Sequence, residues 1–210
     1  MIQVLVVDDH TIFRSGIRRL LLDEVDMCVA AEASNGPEAI KLLNSKSFDL
    51  VLMDINMEGR SGLEVLASIR NIGKCPPVLM LSMYPEEQYA LIAVQGGARG
   101  YISKDAEPSE LVLAIRQVAN GGQYLSANAA KQINDQLSGQ DSRPAHQRLS
   151  VREHQIMLML IKGMAQTEIG EEMMISAKTV NTHRMNLMEK LGVSSTAELV
   201  LYAVRNGLVH

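Results

Sequence analysis

Three aspartates and one lysine stand at the ends of short apolar segments in the first half of the chain. Asp8 and Asp9 follow the first such segment, Asp54 ends another, and Lys104 follows a third. If these segments are parallel strands, their carboxyl ends meet at one edge of a sheet, and we expect the four side chains to lie together there. Carboxylate oxygens bind hard cations such as Mg²⁺, and a lysine can neutralise an anion brought to that cation. The spacing therefore predicts phosphoryl chemistry on an aspartate.

The segments that must position these residues alternate between strand-like and helix-like patterns. Apolar runs predict strands at Gln3–Val7, Met27–Ala31, Leu50–Met53, Val78–Leu81 and Tyr101–Ile102. Apolar residues at helical spacing lie between them. This alternation predicts a parallel sheet covered by helices on both faces, because parallel strands need crossover connections. Five such units in about 120 residues predict a flavodoxin-like domain with strand order 2-1-3-4-5.

That strand order determines which residues become neighbours of Asp54. The third strand is central, so Asp54 is expected between the Asp8-Asp9 pair and Ser82, which ends the fourth apolar run. Lys104 follows on the fifth strand. A single aspartate after a strand more often caps a helix, so each acid alone is weak evidence. The four positions together, in this order, favour a shared site.

The second half of the chain has a different organisation. Residues 137–148 are polar and contain Gly and Pro, which predicts a linker over 123–147, with room for a short helix at 126–137. Four helical patterns follow. Capping boxes are predicted at Ser150–Glu153 and Ser195–Glu198, and the predicted helix ends are Gly163, Gly192 and Gly207. A very short turn joins the second and third helices, which is the outline of a helix-turn-helix.

The third of these helices, Ser176–Leu191, has two distinct faces. The residues expected to pack inward are Val180, His183, Leu187 and Leu191. The residues expected on the opposite face are Lys178, Asn181, Thr182 and Met185. By itself this pattern is more typical of an amphipathic helix in a small bundle with a solvated outer face. A protein-binding bundle is a further alternative to a DNA-binding domain.

Charge and composition narrow the classes of protein. Residues 1–125 carry 11 Lys and Arg against 16 Asp and Glu, whereas residues 126–210 carry 9 against 8. This asymmetry favours two modules with different partners, and any DNA binding by one copy is expected to be modest. Cys28 and Cys75 form neither a disulfide framework nor a metal-binding spacing. No apolar stretch approaches the ~18 residues of a membrane span, so a cytoplasmic location without membrane contact is expected.

The first 122 residues resemble the receiver domain of bacterial two-component response regulators. The motifs that carry the resemblance are Val7-Asp8-Asp9-His10, Leu52-Met53-Asp54-Ile55-Asn56-Met57, Leu81-Ser82 and Tyr101-Ile102-Ser103-Lys104. The resemblance implies that Asp54 accepts phosphate from a sensor histidine kinase. It also implies that Mg²⁺ is bound by Asp9, Asp54 and the Asn56 carbonyl, with Asp8 acting through water.

The same resemblance implies a switch. Ser82 and Tyr101 would respond to the phosphoryl group, and Lys104 would pair with it. One position departs from the family pattern, because Glu58 stands where a proline is usual. Its effect on metal affinity and phosphate lifetime is left open.

Residues 148–210 resemble the DNA-binding domain of the LuxR/NarL type. The matching motifs are Leu149–Glu153, Ile175–His183 and Glu189–Val193. The resemblance implies that the third helix contacts DNA and that the fourth mediates dimerisation. The DNA contacts predicted from the faces of the third helix and from the resemblance together are Thr167, Lys178, Thr179, Asn181, Thr182, Arg184, Met185 and Lys190. The dimer contacts assigned are Leu199, Tyr202 and Ala203.

Together these observations predict a phosphorylation-controlled transcription factor. It would be a homodimer when active, reading two half-sites in double-stranded DNA. It would not be an enzyme, beyond accepting phosphate and slowly losing it. The alternative is a Mg²⁺-dependent aspartyl-phosphate phosphohydrolase with a helical accessory domain, although Asn56 stands where such hydrolases place an acid.

Overall fold

The computed structural model describes residues 1–57, 60–70, 75–83, 86–127, 129–131 and 144–208. The chain divides into two compact units, Met1–Gln140 and Asp141–His210. Within the described ranges, no helix is both long enough and apolar enough to cross a membrane.

The first unit contains a five-stranded parallel sheet. Its strands are β1 (Ile2–Val7), β2 (Met27–Ala33), β3 (Leu50–Asp54), β4 (Val78–Ser82) and β5 (Gly100–Ser103). Their order is β2-β1-β3-β4-β5, which confirms the predicted topology. Every residue of β3 and β4 is buried, as expected of central strands covered on both faces.

Four helices connect these strands and a fifth follows β5. They are α1 (Thr11–Leu22), α2 (Gly36–Ser45), α3 (Gly62–Ile69), α4 (Glu86–Gly96) and α5 (Pro108–Ala119). One core cluster joins α1 and α5 to alternate residues of the central strands, such as Leu50 and Leu52. Because successive strand residues point to opposite faces, Val51 and Met53 are buried on the other face. The sheet therefore has helices on both faces, as predicted.

The packing of this unit continues beyond α5. Tyr124 forms a parallel bridge with Gly100, and the Tyr101 N–H donates to the Tyr124 carbonyl at 3.0 Å. The Tyr124 hydroxyl donates to Glu110 at 2.7 Å. A helical turn then begins at residue 127, and most of the short helix predicted for 126–137 lies outside the described residues. The chain thus remains attached to the edge strand after residue 122.

The second unit is helical. After a 3₁₀ turn at Ala145–Arg148 it contains α6 (Val151–Ile161), α7 (Gln166–Glu172), α8 (Ala177–Leu191) and α9 (Thr196–Arg205). These four helices confirm the predicted all-α arrangement. Their common core includes Ile156, Ile169, Val180, Leu187 and Leu199, all with 0% exposure.

Helix termini in this unit follow the predicted chemistry with one exception. Ser150 and Glu153 form a complete capping box, with distances of 2.7 and 3.3 Å. Ser195 accepts from the Glu198 N–H at 3.2 Å, but the Glu198 carboxylate accepts from the backbone and hydroxyl of Ser194 instead. The predicted second box is therefore only half correct.

Candidate functional site

The structure brings Asp54, Asp8 and Lys104 into direct contact at the carboxyl edge of the sheet. Asp54 ends β3 and its side chain is 1% exposed, while Asp8 follows β1 and is fully buried. The Lys104 ammonium lies 2.8 Å from Asp54 Oδ2 and 2.7 Å from Asp8 Oδ2. One cation therefore bridges two buried carboxylates that lie on adjacent strands.

Lys104 is held from a second side. Its Nζ atom lies 4.6 Å from the centre of the Phe13 ring, which stabilises an ammonium through the negative face of the ring. Burial alone would lower the pKa of Lys104, but the charges of Asp54 and Asp8 outweigh that effect and raise it. Lys104 is therefore a permanent positive charge in this site.

At Asp54, in contrast, burial has a larger effect on the pKa than the neighbouring positive charge. Burial raises the pKa of Asp54 from 3.8 to about 6, even though Lys104 and the Asn56 N–H favour its charged form. The Asn56 N–H donates to Asp54 Oδ1 at 3.1 Å. Burial therefore disfavours the ionised form of Asp54 more than Lys104 favours it, and additional positive charge would stabilise that form.

Asp9 and His10 extend the cluster toward solvent. His10 Nδ1 lies 2.7 Å from Asp9 Oδ1 and 3.2 Å from Asp8 Oδ1. One ligand atom from each of Asp8, Asp9, His10 and Asp54 can be chosen so that all lie within 4.8 Å of one another. This arrangement suits a divalent cation with oxygen ligands. No role was predicted for His10, although it directly follows Asp9 in the sequence.

Two further residues that the sequence analysis missed hold the backbone of the site. The Arg14 guanidinium donates to the Asp8 carbonyl at 2.6 Å from the second turn of α1. At Gly62, the first residue of α3, a Cβ atom would overlap the carbonyl oxygen of Asp54. The Gly62 N–H also donates to the Ile55 carbonyl at 2.9 Å. No motif reveals either contact, because both depend on the folded approach of distant segments.

The predicted switch residues lie in the two strands that follow β3 in the sheet order. Ser82 ends β4 and is fully buried, and Asp54 pairs in register with Leu81, the residue before it. Tyr101 lies in β5 and is 1% exposed. Glu58, which departs from the family pattern, lies outside the described residues.

In the second unit, α8 presents most of the predicted DNA contacts to solvent. The exposed residues are Lys178, Thr179, Thr182 and Met185, together with Thr167 on α7, whereas Asn181 and Arg184 are half-buried. Val180, Leu187 and Leu191 are buried as predicted. His183 is half-buried, and Met188, which was not assigned to the inward face, is buried.

Lys190, one of the predicted phosphate contacts, is paired within the helical unit. Its ammonium lies 2.7 and 2.9 Å from the two carboxylate oxygens of Glu153, whose side chain is 4% exposed. Glu153 also completes the capping box that begins α6. Lys190 therefore joins α8 to α6, while its side chain remains 45% exposed, and its contact with a DNA phosphate stays a prediction.

Two of the three dimer contacts predicted on α9 require a correction. Leu199 and Ala203 are fully buried in the core of the helical unit, so they cannot form a surface for a second copy. Tyr202 is half-buried, and its hydroxyl accepts from the His146 N–H at 3.2 Å. The exposed apolar side chains of α9 are Leu201 and Val204, at 56% and 58%.

Comparison with known proteins gives the same division of the chain. The family described as "Response regulator receiver domain" matches residues 4–116, and the family "Bacterial regulatory proteins, luxR family" matches residues 147–203. Response regulator UvrY of Escherichia coli K12 is 40% identical over 209 residues, covering 99% of this chain and 96% of that protein. Response regulator GacA of Pseudomonas aeruginosa is 38% identical over 210 residues, covering 100% and 98%.

Solved structures give similar matches. The response regulator ChrA of a heme-sensing two-component system is 34% identical, with a TM-score of 0.53 and coverage of 99% of this chain and 98% of that one. RcsB of Salmonella enterica serovar Typhimurium, bound to the P1flhDC promoter in the presence of phosphomimetic BeF₃⁻, is 22% identical, with a TM-score of 0.67 and coverage of 96% and 97%. At that identity the RcsB match supports the fold alone.

Proposed function

Since the chain belongs to the response regulators, with a receiver domain followed by a DNA-binding domain of the luxR family, we propose that Asp54 accepts the phosphate that controls its action as a transcription regulator. The donor is a sensor histidine kinase. The observation that carries this proposal is the Lys104 ammonium held between Asp54 and Asp8 at 2.8 and 2.7 Å. This arrangement places a fixed positive charge beside the oxygen that would receive the phosphoryl group.

The transfer is a displacement at phosphorus. A carboxylate oxygen of Asp54 forms the new P–O bond, the P–N bond of the kinase phosphohistidine breaks, and its electron pair returns to the imidazole nitrogen. The nucleophile is the ionised carboxylate, and a pKa of about 6 leaves Asp54 largely ionised at neutral pH. Lys104 offsets the negative charge that the phosphoryl oxygens bring into the buried site.

The acidic pocket is the proposed Mg²⁺ site. Asp9, Asp54 and the Asn56 carbonyl would hold the ion, with Asp8 acting through water. The close approach of the carboxylates within 4.8 Å and the raised pKa of Asp54 both favour an added cation. When bound, Mg²⁺ supplies charge neutralisation for the transferring phosphoryl group.

Ser82 and Tyr101 are the proposed switch. The phosphoryl group adds negative charge and hydrogen-bond acceptors next to the end of β4, where the Ser82 hydroxyl can donate to it. Tyr101 is buried in β5, two strands from Asp54 in the sheet order. A shift of Ser82 toward phosphate would change the space beside Tyr101 and bias the unit between two arrangements.

The helical unit is the proposed DNA reader, with α8 entering the major groove. Lys178 and Thr179 at its exposed start can contact phosphates, and Arg184 lies at the edge of the same face. The exposed pair Leu201 and Val204 on α9 offers an apolar surface for a homodimer. Two copies reading two half-sites would offset the weak charge of a single helical unit.

Intact-mass measurement tests the phosphoacceptor directly. We expect the full chain, incubated with acetyl phosphate and MgCl₂, to gain one phosphoryl group, and Asp54→Asn to gain none. Asp49→Asn is the matched control, because Asp49 is an exposed aspartate whose substitution keeps an acceptor for the Gln3 N–H. An adduct that persists in Asp54→Asn, or its absence from a folded native chain, would overturn the assignment.

A further inference from the structure

Beyond Lys178 in its first turn, the exposed face of α8 presents methyl and thioether groups. Met185 is 62% exposed at the middle of the helix. Thr182 is also exposed, and its hydroxyl donates to the Lys178 carbonyl one turn earlier at 3.1 Å. Because the hydroxyl proton is engaged by the helix itself, Thr182 presents its methyl group and only the acceptor lone pairs of its oxygen to an external partner.

The neighbouring polar groups have similar local partners. The Thr179 hydroxyl lies 2.8 Å from the hydroxyl of Ser176, the residue that caps α8. The Asn181 amide nitrogen lies 3.9 Å from the Met185 sulfur, so these two side chains form a contiguous patch across one turn. The polar groups of the face are therefore already oriented by contacts within the helix.

Cations surround this patch without occupying it. Lys178 lies in the first turn of α8, Arg184 is half-buried, and Lys190 is bonded to Glu153. Recognition of guanine in the major groove usually uses Arg or Lys in a bidentate contact with O6 and N7. Thymine instead presents its C5-methyl group, which an apolar side chain contacts.

We infer that α8 recognises thymine, with Met185 and the Thr182 methyl contacting C5-methyl groups and Asn181 pairing with an adjacent adenine. The inference rests on the proposed role of α8 as the DNA-reading helix. It predicts that each half-site contains thymines at the positions that Thr182 and Met185 contact. Specificity then comes from apolar contact, while Lys178 and Thr179 position the helix on the backbone.

Replacement of single thymines by deoxyuridine tests this inference, because it removes only the C5-methyl group. Duplexes are first selected from a random library with the phosphorylated full-length chain, and the Kd of each deoxyuridine duplex is measured by fluorescence anisotropy. At one or two thymines of each half-site we expect about fourfold weaker binding, which corresponds to one buried methyl group.

Two substitutions assign the contacts to residues. Thr182→Ser retains the hydroxyl that bonds to Lys178 and removes the methyl, so its sensitivity to deoxyuridine should disappear at one position. Met185→Ala should remove the sensitivity at the other position. Leu113→Ala, a change at an exposed residue of α5, should keep the full sensitivity of the native chain at both.

The outcomes separate the inference from the proposed function. If no sequence is enriched and no duplex binds, the proposed DNA-reading role of α8 fails and the inference fails with it. If a selected duplex binds tightly but deoxyuridine changes nothing, or if the half-site is dominated by G·C pairs, the inference alone is overturned. Unchanged sensitivity in folded Thr182→Ser and Met185→Ala would also overturn it.

Discussion

The two units place their functional residues in opposite environments. In the first unit, Asp54, Asp8 and Lys104 are buried at the edge of a sheet and held by contacts between strands far apart in sequence. In the second, Thr182 and Met185 lie on the exposed face of one helix and contact residues one turn earlier. Burial disfavours the ionised form of Asp54 and leaves no space for an added Cβ at Gly62. The second face should tolerate substitution without loss of folding, and its function depends on the DNA that it contacts.

The largest expected effect is the difference in stability between alanine substitutions at two glycines of the first unit. Gly62→Ala should destabilise the unit by about 3 kcal/mol, because the added Cβ would overlap the Asp54 carbonyl. Gly16→Ala is the matched control. It lies within α1 with nothing within 4 Å of its Cβ position, and should stabilise the unit by about 0.5–1 kcal/mol.

Urea unfolding followed by circular dichroism measures both glycine variants. Gly62→Ala should also lower phosphorylation of Asp54 by acetyl phosphate, because the backbone of the site must shift. Equal stability of the two alanine variants would show that the start of α3 does not hold the acidic site in place.

The second prediction concerns the charge of Asp54. Asp54→Asn should raise the free energy of unfolding at pH 7.5, without Mg²⁺, by about 2 kcal/mol, since the native pKa is raised to about 6. Between about pH 4 and 6 the folded protein keeps a proton that the unfolded chain releases, so the stability of the native chain falls as pH rises through this range. The advantage of asparagine should therefore be greatest above pH 6 and disappear below pH 4.

Unfolding curves of both chains across this pH range measure the effect. Added MgCl₂ should reduce the difference at pH 7.5, because a bound cation stabilises the native site. A stability difference that is independent of pH would contradict the proposed electrostatic strain at Asp54.

A smaller difference in stability is expected between methionine substitutions at two lysines of α8. Lys190→Met should destabilise the helical unit by about 1 kcal/mol, because it leaves the buried Glu153 carboxylate without its cation, an effect reduced by the partial exposure of Lys190. Lys178→Met should leave stability unchanged and weaken DNA binding with a shallower salt dependence. Thermal unfolding and anisotropy titrations at several salt concentrations measure the pair. If Lys190→Met weakened DNA binding with unchanged stability, and Lys178→Met lowered stability instead, Lys190 would be the phosphate contact and this account of the two lysines would be wrong.

The smallest effect on folding is expected on α9. Leu201→Ser should change the free energy of unfolding by less than about 0.5 kcal/mol, because Leu201 is exposed. The same change should weaken self-association of the phosphorylated chain, which sedimentation velocity measures. Leu199→Ala provides the contrast, because it removes a buried side chain and should cost about 2–4 kcal/mol. Unaltered association of Leu201→Ser would exclude this face as the dimer surface.

The same contrast explains which features the sequence could predict. Asp54 and Ser82 end apolar runs that can only be central strands, so strand order alone placed them beside each other, and the comparisons confirm the family that those motifs indicated. Gly62 and Arg14 were missed because their roles arise from folded approach to the backbone of Asp54 and Asp8. The chain beyond Gly122 gave no strand pattern, yet Tyr124 pairs with β5.

In the helical unit, the sequence predicted the helices better than the direction in which each side chain faces. Its helices and most caps follow local chemistry and were predicted, but the orientation of α9 was not. Leu199, Leu201, Ala203 and Val204 are all apolar, so their pattern does not distinguish the inward face from the exposed one. Lys190 was assigned to DNA because a lysine on a recognition helix resembles a phosphate contact, and only the folded position of Glu153 reveals its partner.

The central claim is that phosphate on Asp54 controls DNA binding by the helical unit. Its most direct test is an anisotropy titration of a selected duplex with the native chain and with Asp54→Asn, each before and after treatment with acetyl phosphate and MgCl₂. We expect treatment to tighten binding by the native chain about tenfold, a typical coupling between two sites, and to leave Asp54→Asn unchanged. An equal response in both chains, or no response in a native chain that carries the phosphoryl group, would contradict the claim.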